Sequence, residues 1–183
     1  SMAYFIGTMS SAALLPAAGR AYDRVGARLT SCVAALLLAL ALVLIAGLDL
    51  AAGALARLSG TDGRYWAFTG IVVCYFGVRF AGQGVLTSAS RNVLLVWFER
   101  RRGLVSGVRG IFVTLAFSIA PVVLAGLVAA AGWRGALLWL AFGCGIGFPV
   151  LALVLLRDAP ESCGLAPDGA LPAAGPADDS RPR

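Results

Sequence analysis

Apolar positions fall into five long stretches, at 3–18, 29–48, 65–97, 104–131 and 135–156, separated by short segments that hold most of the arginines. A helix crossing a bilayer needs about 17–25 apolar residues. The second and fifth stretches meet that length, the first is short, and the third and fourth exceed it and must tilt or protrude. Runs this long predict helices, because in lipid a segment must satisfy its backbone groups internally. The pattern therefore predicts an all-α fold, a polytopic membrane bundle of about five transmembrane helices over residues 1–157. From Asp158 to residue 183 the chain turns to proline, glycine, alanine and acids. Such a segment cannot bury a core and reads as a flexible cytoplasmic linker or tail.

Composition sharpens this. Of 183 residues 60% are hydrophobic and 13% charged, against about 45–50% and 25% in soluble domains, so an ordinary soluble enzyme is excluded. Every basic residue is arginine, and histidine is absent. That removes histidine triads, histidine-held metals and Schiff-base lysines, and no metal or cofactor is expected. Neither HExxH nor GxSxG occurs, nor a Walker A pattern, nor a carboxylate pair inside a span. Cys32, Cys74, Cys144 and Cys163 show no CxxC spacing and read as small packing residues.

The net charge of +6 is divided among short loops, which suits membrane orientation better than nucleic acid, and no nucleic-acid partner is expected. Arg20, Arg24, Arg28, Arg100, Arg101, Arg102 and Arg157 fall on one side of an alternating topology; Arg57, Arg64 and Arg134 fall on the other. The positive-inside rule places the first group in the cytoplasm. The expectation is a multi-pass cell-membrane protein with its amino end outside and its tail inside.

The loop Gly19-Arg20-Ala21-Tyr22-Asp23-Arg24-Val25-Gly26-Ala27-Arg28 has glycines that permit a tight turn and a carboxylate able to bridge helix ends among three arginines. Its G-x-x-x-D-R-x-G-x-R pattern resembles the loop joining the second and third spans of the major facilitator superfamily. Arg79-Phe80-Ala81-Gly82-Gln83-Gly84 resembles that superfamily's fourth-span arginine–glycine motif. Trp97-Phe98-Glu99-Arg100-Arg101-Arg102-Gly103 with Gly107 looks like its loop between spans four and five, above all in the branch of monocarboxylate transporters and oxalate/formate antiporters. Gly132-Trp133-Arg134, then Arg157 to Glu161 and Gly164 to Gly169, are similar to the turn before span six and the entry to the central linker.

The resemblance implies a partial major facilitator fold, in which these spans are the second to sixth of twelve and the remaining spans are partners. It implies a secondary transporter working by alternating access on a small solute, with a coupling proton as a possible co-substrate. It also implies that Asp23, Arg24 and Arg28, with Gly19, Gly26 and Arg100–Arg102, form a cytoplasmic gating latch. Two departures stand out. Gly82 and Gly84 follow Arg79 by three and five residues, where the motif places glycines at four and six. The fifth-span glycine–proline motif of proton-driven drug antiporters is reduced to Pro121, expected to bend its helix.

Arg79 is the candidate for chemistry, since a charge deep in a span usually faces a bundle interior or a water-filled cavity. Gln83, Thr87 and Ser90 follow at offsets that share its face at about 100° per residue. The stripe suits a cavity wall, with a guanidinium fork for an anionic solute or a coupling carboxylate, or hydrogen bonding between helices. Arg91 and Arg109 read as snorkelling side chains. Gly103, Gly107 and Gly110 read as a close-packing stripe, and Trp97 and Trp133 as interfacial anchors. The expected function is transport of a small organic anion such as a monocarboxylate. Drug export within the same superfamily, and a small non-transporting assembly protein, are the alternatives.

Overall fold

The computed structural model describes residues 2–60, 62–158 and Gly164. The rest of the expected linker, with Cys163, lies outside the described residues. The elements are α1 (Met2–Val25), α2 (Ala27–Ala46), α3 (Leu48–Ser59), α4 (Gly63–Val78), a π-helical stretch π1 (Arg79–Leu86), α5 (Thr87–Trp97), α6 (Arg102–Phe142), π2 (Gly143–Gly147) and α7 (Phe148–Leu155). Among the described residues there is no strand.

Three helical runs are long and apolar enough to cross a membrane: Ala27–Ala46, Gly63–Trp97 and Arg102–Leu155. The last has 54 residues, about 80 Å at 1.5 Å per residue, far more than the roughly 30 Å of a bilayer core. It divides at Gly132, whose φ 70 and ψ 170 are non-helical and open essentially to glycine. The contacts show the reversal. Arg109 near the start of α6 meets Ser90 of α5, Arg134 just past Gly132 meets Asp49 after α2, and Asp158 returns to the first turn of α2. The chain thus passes five times between two ends. α1 makes one of these passes but is not among the three long apolar runs; Thr8, Ser10, Ser11 and Pro16 interrupt its apolar residues.

Two expected loops are helical. Residues 49–64 were expected to link spans, yet Leu48–Ser59 forms α3, an alanine- and leucine-rich segment of high helix propensity. Ser59 Oγ bonds the Leu55 carbonyl at 2.7 Å and accepts from Trp66 Nε1 at 2.8 Å. At the arginine-rich end α1 continues through Gly19 to Val25, so the turn into α2 is the single residue Gly26.

The interior is made of small residues. Among the described residues the buried apolar side chains are alanines apart from Cys32, Cys74, Val85 and Pro149, while Leu36, Leu40, Phe112, Phe117 and Val122 are exposed. That is the arrangement of a bundle in lipid, where helices gain by close backbone approach rather than by hiding apolar surface. A Cβ on Gly145 would lie 2.9 Å from Ala39, and one on Gly77 3.1 Å from Ala41. The stripe Gly103, Gly107 and Gly110 is different, with no described atom within 4 Å of any added Cβ. The first part of α6 meets α5 at few points, and no described residue packs against these glycines.

Candidate functional site

Arg79 opens π1. Its Nη1 donates to Gln83 Oε1, and its guanidinium lies 5.4 Å from the centre of the Tyr4 ring, within cation–π range. Arg79 and Gln83 line a cavity of about 210 Å³ with Thr8, Ser11, Ala12, Leu15 and Gly84. Ser11 is buried, and Thr8 Oγ1 is buried without a hydrogen-bond partner.

The expected stripe divides in two. Thr87 Oγ1 donates to the Gly82 carbonyl at 3.3 Å. Ser90 accepts from Arg109 Nε at 3.2 Å and lines a different cavity, of about 500 Å³, with Ser31, Val105, Phe112, Phe148 and Leu156. The cause is local geometry. A face counted at 100° per residue assumes i→i+4 bonding, and π-helical i→i+5 turns carry more residues each. Residues beyond π1 are therefore rotated away from the face that Arg79 occupies. Arg109 is held by Ser90 rather than left to reach toward headgroups.

At the arginine-rich end the contacts converge on Asp158. Its Oδ1 accepts from the Arg28 backbone N–H at 2.8 Å, in the first turn of α2, where a carboxylate complements the helix dipole. The Arg28 side chain donates through Nη2 to the Leu153 carbonyl, and its Nε is buried without a partner. Gly26, with φ 88 and ψ 168, admits this approach, since an added Cβ would stand 2.8 Å from Asp158 Oδ1. Tyr22 is pushed above the ordinary tyrosine range by burial first, then by the Asp158 and Asp23 carboxylates.

Asp23 and Arg24 occupy the exposed last turn of α1. Gly19 faces a cavity of about 240 Å³ with Leu15, Tyr22, Ser88 and Asn92. Arg100 and Arg101 lie in the turn before α6. Arg102 folds back onto α5, donating to the Phe98 carbonyl at 2.8 Å and the Leu95 carbonyl at 3.3 Å, and so satisfies helix-end acceptors. Trp97 Nε1 donates to the Arg157 carbonyl at 3.3 Å. Pro121 lies inside α6, and the non-helical torsions of that run are at Gly132.

Sequence reasoning missed Asp158, Thr8, Ser11, Tyr4 and Gly7. Tyr4, Thr8 and Ser11 carried a signal, recurring at intervals of four and three on one face of α1. Asp158 carried none, because its target is 130 positions away.

Five helical passes, a small-residue interior and an arginine that lines a cavity from inside a span define a polytopic membrane bundle. The family model of the Major Facilitator Superfamily matches residues 1–174, and the chain belongs to that superfamily of membrane transporters. No curated protein and no solved structure matches the chain.

Proposed function

We propose that the chain forms the second to sixth spans of a twelve-span secondary transporter that moves a small organic anion, such as a monocarboxylate, by alternating access. Arg79 carries the reading. An arginine at the centre of a span costs at least about 2.5–3.5 kcal/mol on insertion scales, so its position calls for a cavity and a partner. Here it has the Gln83 amide, the Tyr4 ring and a cavity of about 210 Å³. A planar guanidinium suits a carboxylate, which it can hold with two parallel hydrogen bonds.

In this reading Arg79 and Gln83 contact the solute, with a proton as co-substrate. Thr87 supports π1 through Gly82, and Ser90 holds Arg109 at the start of α6. Asp23, Arg24, Arg28 and Arg100–Arg102 form the cytoplasmic latch, whose contacts rearrange as the two halves rock. Gly26 is its turn, Gly19 lines the approach to it, and Pro121 bends α6. The amino end lies outside the cell membrane and the tail inside. Proteoliposomes holding the full-length transporter, screened with small carboxylates under a proton gradient, should accumulate one of them. Dye efflux without carboxylate uptake would reverse the choice in favour of a drug exporter. Movement of neither would point to a non-transporting assembly protein.

A further inference from the structure

Thr8 has a hydroxyl whose place in the bundle is unexplained. A helical serine or threonine often satisfies its hydroxyl on the carbonyl one turn back. Ser59, Thr114 and Ser118 each do so, at 2.7, 3.0 and 3.0 Å. Thr8 Oγ1 is buried and makes no such bond. It lines the same cavity as Arg79 and Gln83, from the opposite helix.

The placement is built into α1. Tyr4, Thr8, Ser11 and Leu15 recur at intervals of four, three and four, which gathers them on one helix face. That face meets α4 and π1: the Tyr4 ring packs edge-on against Tyr75 at 5.8 Å and lies against the Arg79 guanidinium. Leu15 lies opposite Gly84, 3.5 Å from where a Cβ would stand. Gly7 sets the separation of the helices. Its Cβ would come within 3.2 Å of the Phe76 backbone nitrogen and 3.3 Å of Tyr75 Cβ. The absent side chain thus brings Thr8 and Ser11 up to the arginine.

The geometry points to α1 as the second wall of the solute site, with the Thr8 hydroxyl donating to the solute's carboxylate beside Arg79; this rests on the anion-transport reading above. Arg79 supplies charge and a planar fork of N–H donors, of which one N–H is engaged by Gln83. Thr8 supplies a neutral donor from across the cavity, and Ser11 stands a turn further along the same wall. A carboxylate held between them bridges two separate helices, so occupancy of the site is coupled to the approach of α1 to π1. Thr8 sets affinity, while the charge requirement belongs to Arg79.

The test uses the full-length transporter in proteoliposomes, with acetate, lactate and oxalate as probes. For whichever of them the wild type moves, Thr8→Val should raise KM about tenfold, the scale of one hydrogen bond to a charged group, with maximal rate nearly unchanged. Thr8→Ser should restore the wild-type KM. Thermal stability without solute should not fall in Thr8→Val, because an unsatisfied hydroxyl is replaced by a methyl of the same shape; a merely structural threonine would lower stability and leave KM alone. An unchanged KM in Thr8→Val, alongside loss of uptake in Arg79→Ala, would overturn the assignment of Thr8 and leave the anion reading standing. Full uptake in Arg79→Ala, or no uptake of any probe by wild type, would remove the anion reading and this inference with it. Should Thr8→Val fail to reach the membrane, Thr8→Ala carries the same comparison.

Discussion

Gly26→Ala probes the tie between the first turn of α2 and the end of the last span. At φ 88 and ψ 168 a non-glycine residue carries a backbone cost of about 1–3 kcal/mol. The added Cβ would also stand 2.8 Å from Asp158 Oδ1 and 3.0 Å from its Cγ, so the carboxylate must leave the Arg28 N–H. A hydrogen bond to a charged acceptor is worth roughly 1.5–3 kcal/mol when sheltered. This one is exposed, and solvent screening brings it to about 1 kcal/mol. The substitution should therefore cost about 2–4 kcal/mol, or roughly 30- to 1,000-fold in the population of the opened end.

Cys32 provides the assay. It is buried in the seam, with its Sγ 3.9 Å from the Pro149 carbonyl oxygen, so a maleimide reaches it only when α2 and α7 part. With fast reclosing, the labelling rate follows the open population. Labelling in detergent, read at the Cys32 peptide by mass spectrometry, should accelerate by that factor. Asp158→Ala alone should accelerate it about fivefold. The double variant should fall short of the product by about 1 kcal/mol, because the clash has lost its partner. Wild-type labelling in Gly26→Ala, or strict additivity in the double variant, would refute the reasoning.

The Asp49–Arg134 pair at the opposite end has side chains 49% and 57% exposed, Arg134 the first and Asp49 the second, so either alanine substitution should cost no more than about 1 kcal/mol. A double-mutant cycle on thermal unfolding in detergent checks this, and a coupling of several kcal/mol would contradict it. Tyr22, beyond the apolar part of α1, should be the tyrosine whose Tyr22→Phe change removes a component titrating above the usual alkaline range. Because folding raises this pKa, the folded state holds the phenol proton more tightly. The stabilisation is complete below the unfolded value of about 10 and is lost as pH rises through the folded one. Asp158→Asn should shift that component downward. Asp23→Ala in the full-length transporter should slow turnover while membrane insertion, read by fractionation, stays intact; normal rates would remove Asp23 from the latch.

How much of this was legible in the sequence depends on the range of the interactions involved. The all-helical membrane bundle was legible, because apolar run length is a local property and lipid admits few structures. Arg79's place was legible for the same reason, as a charge deep in such a run, where Arg91 stands nearer the end. Its partners were only half legible. Gln83 lies four residues on, but placing Ser90 on the same face assumed α-helical pitch through a segment that is π-helical. The choice of Asp23 as the latch carboxylate followed the resemblance of its loop to that of the superfamily. The carboxylate that meets α2 is Asp158, brought there by the return of the last span. α3 fell between two apolar stretches and so read as a link, although its alanine- and leucine-rich composition favours helix. Thr8 looked like any helical threonine, and only the missing bond to its own helix distinguishes it.

The central claim is that Arg79 holds the solute's negative charge. It is tested most directly by carboxylate uptake into proteoliposomes by the full-length transporter, comparing wild type with Arg79→Ala and Arg79→Lys. The account predicts loss of uptake in the alanine variant. In the lysine variant it predicts weakened uptake with a raised KM, since the charge is kept and the bidentate fork is lost. Uptake of every carboxylate at wild-type KM in Arg79→Ala would contradict it.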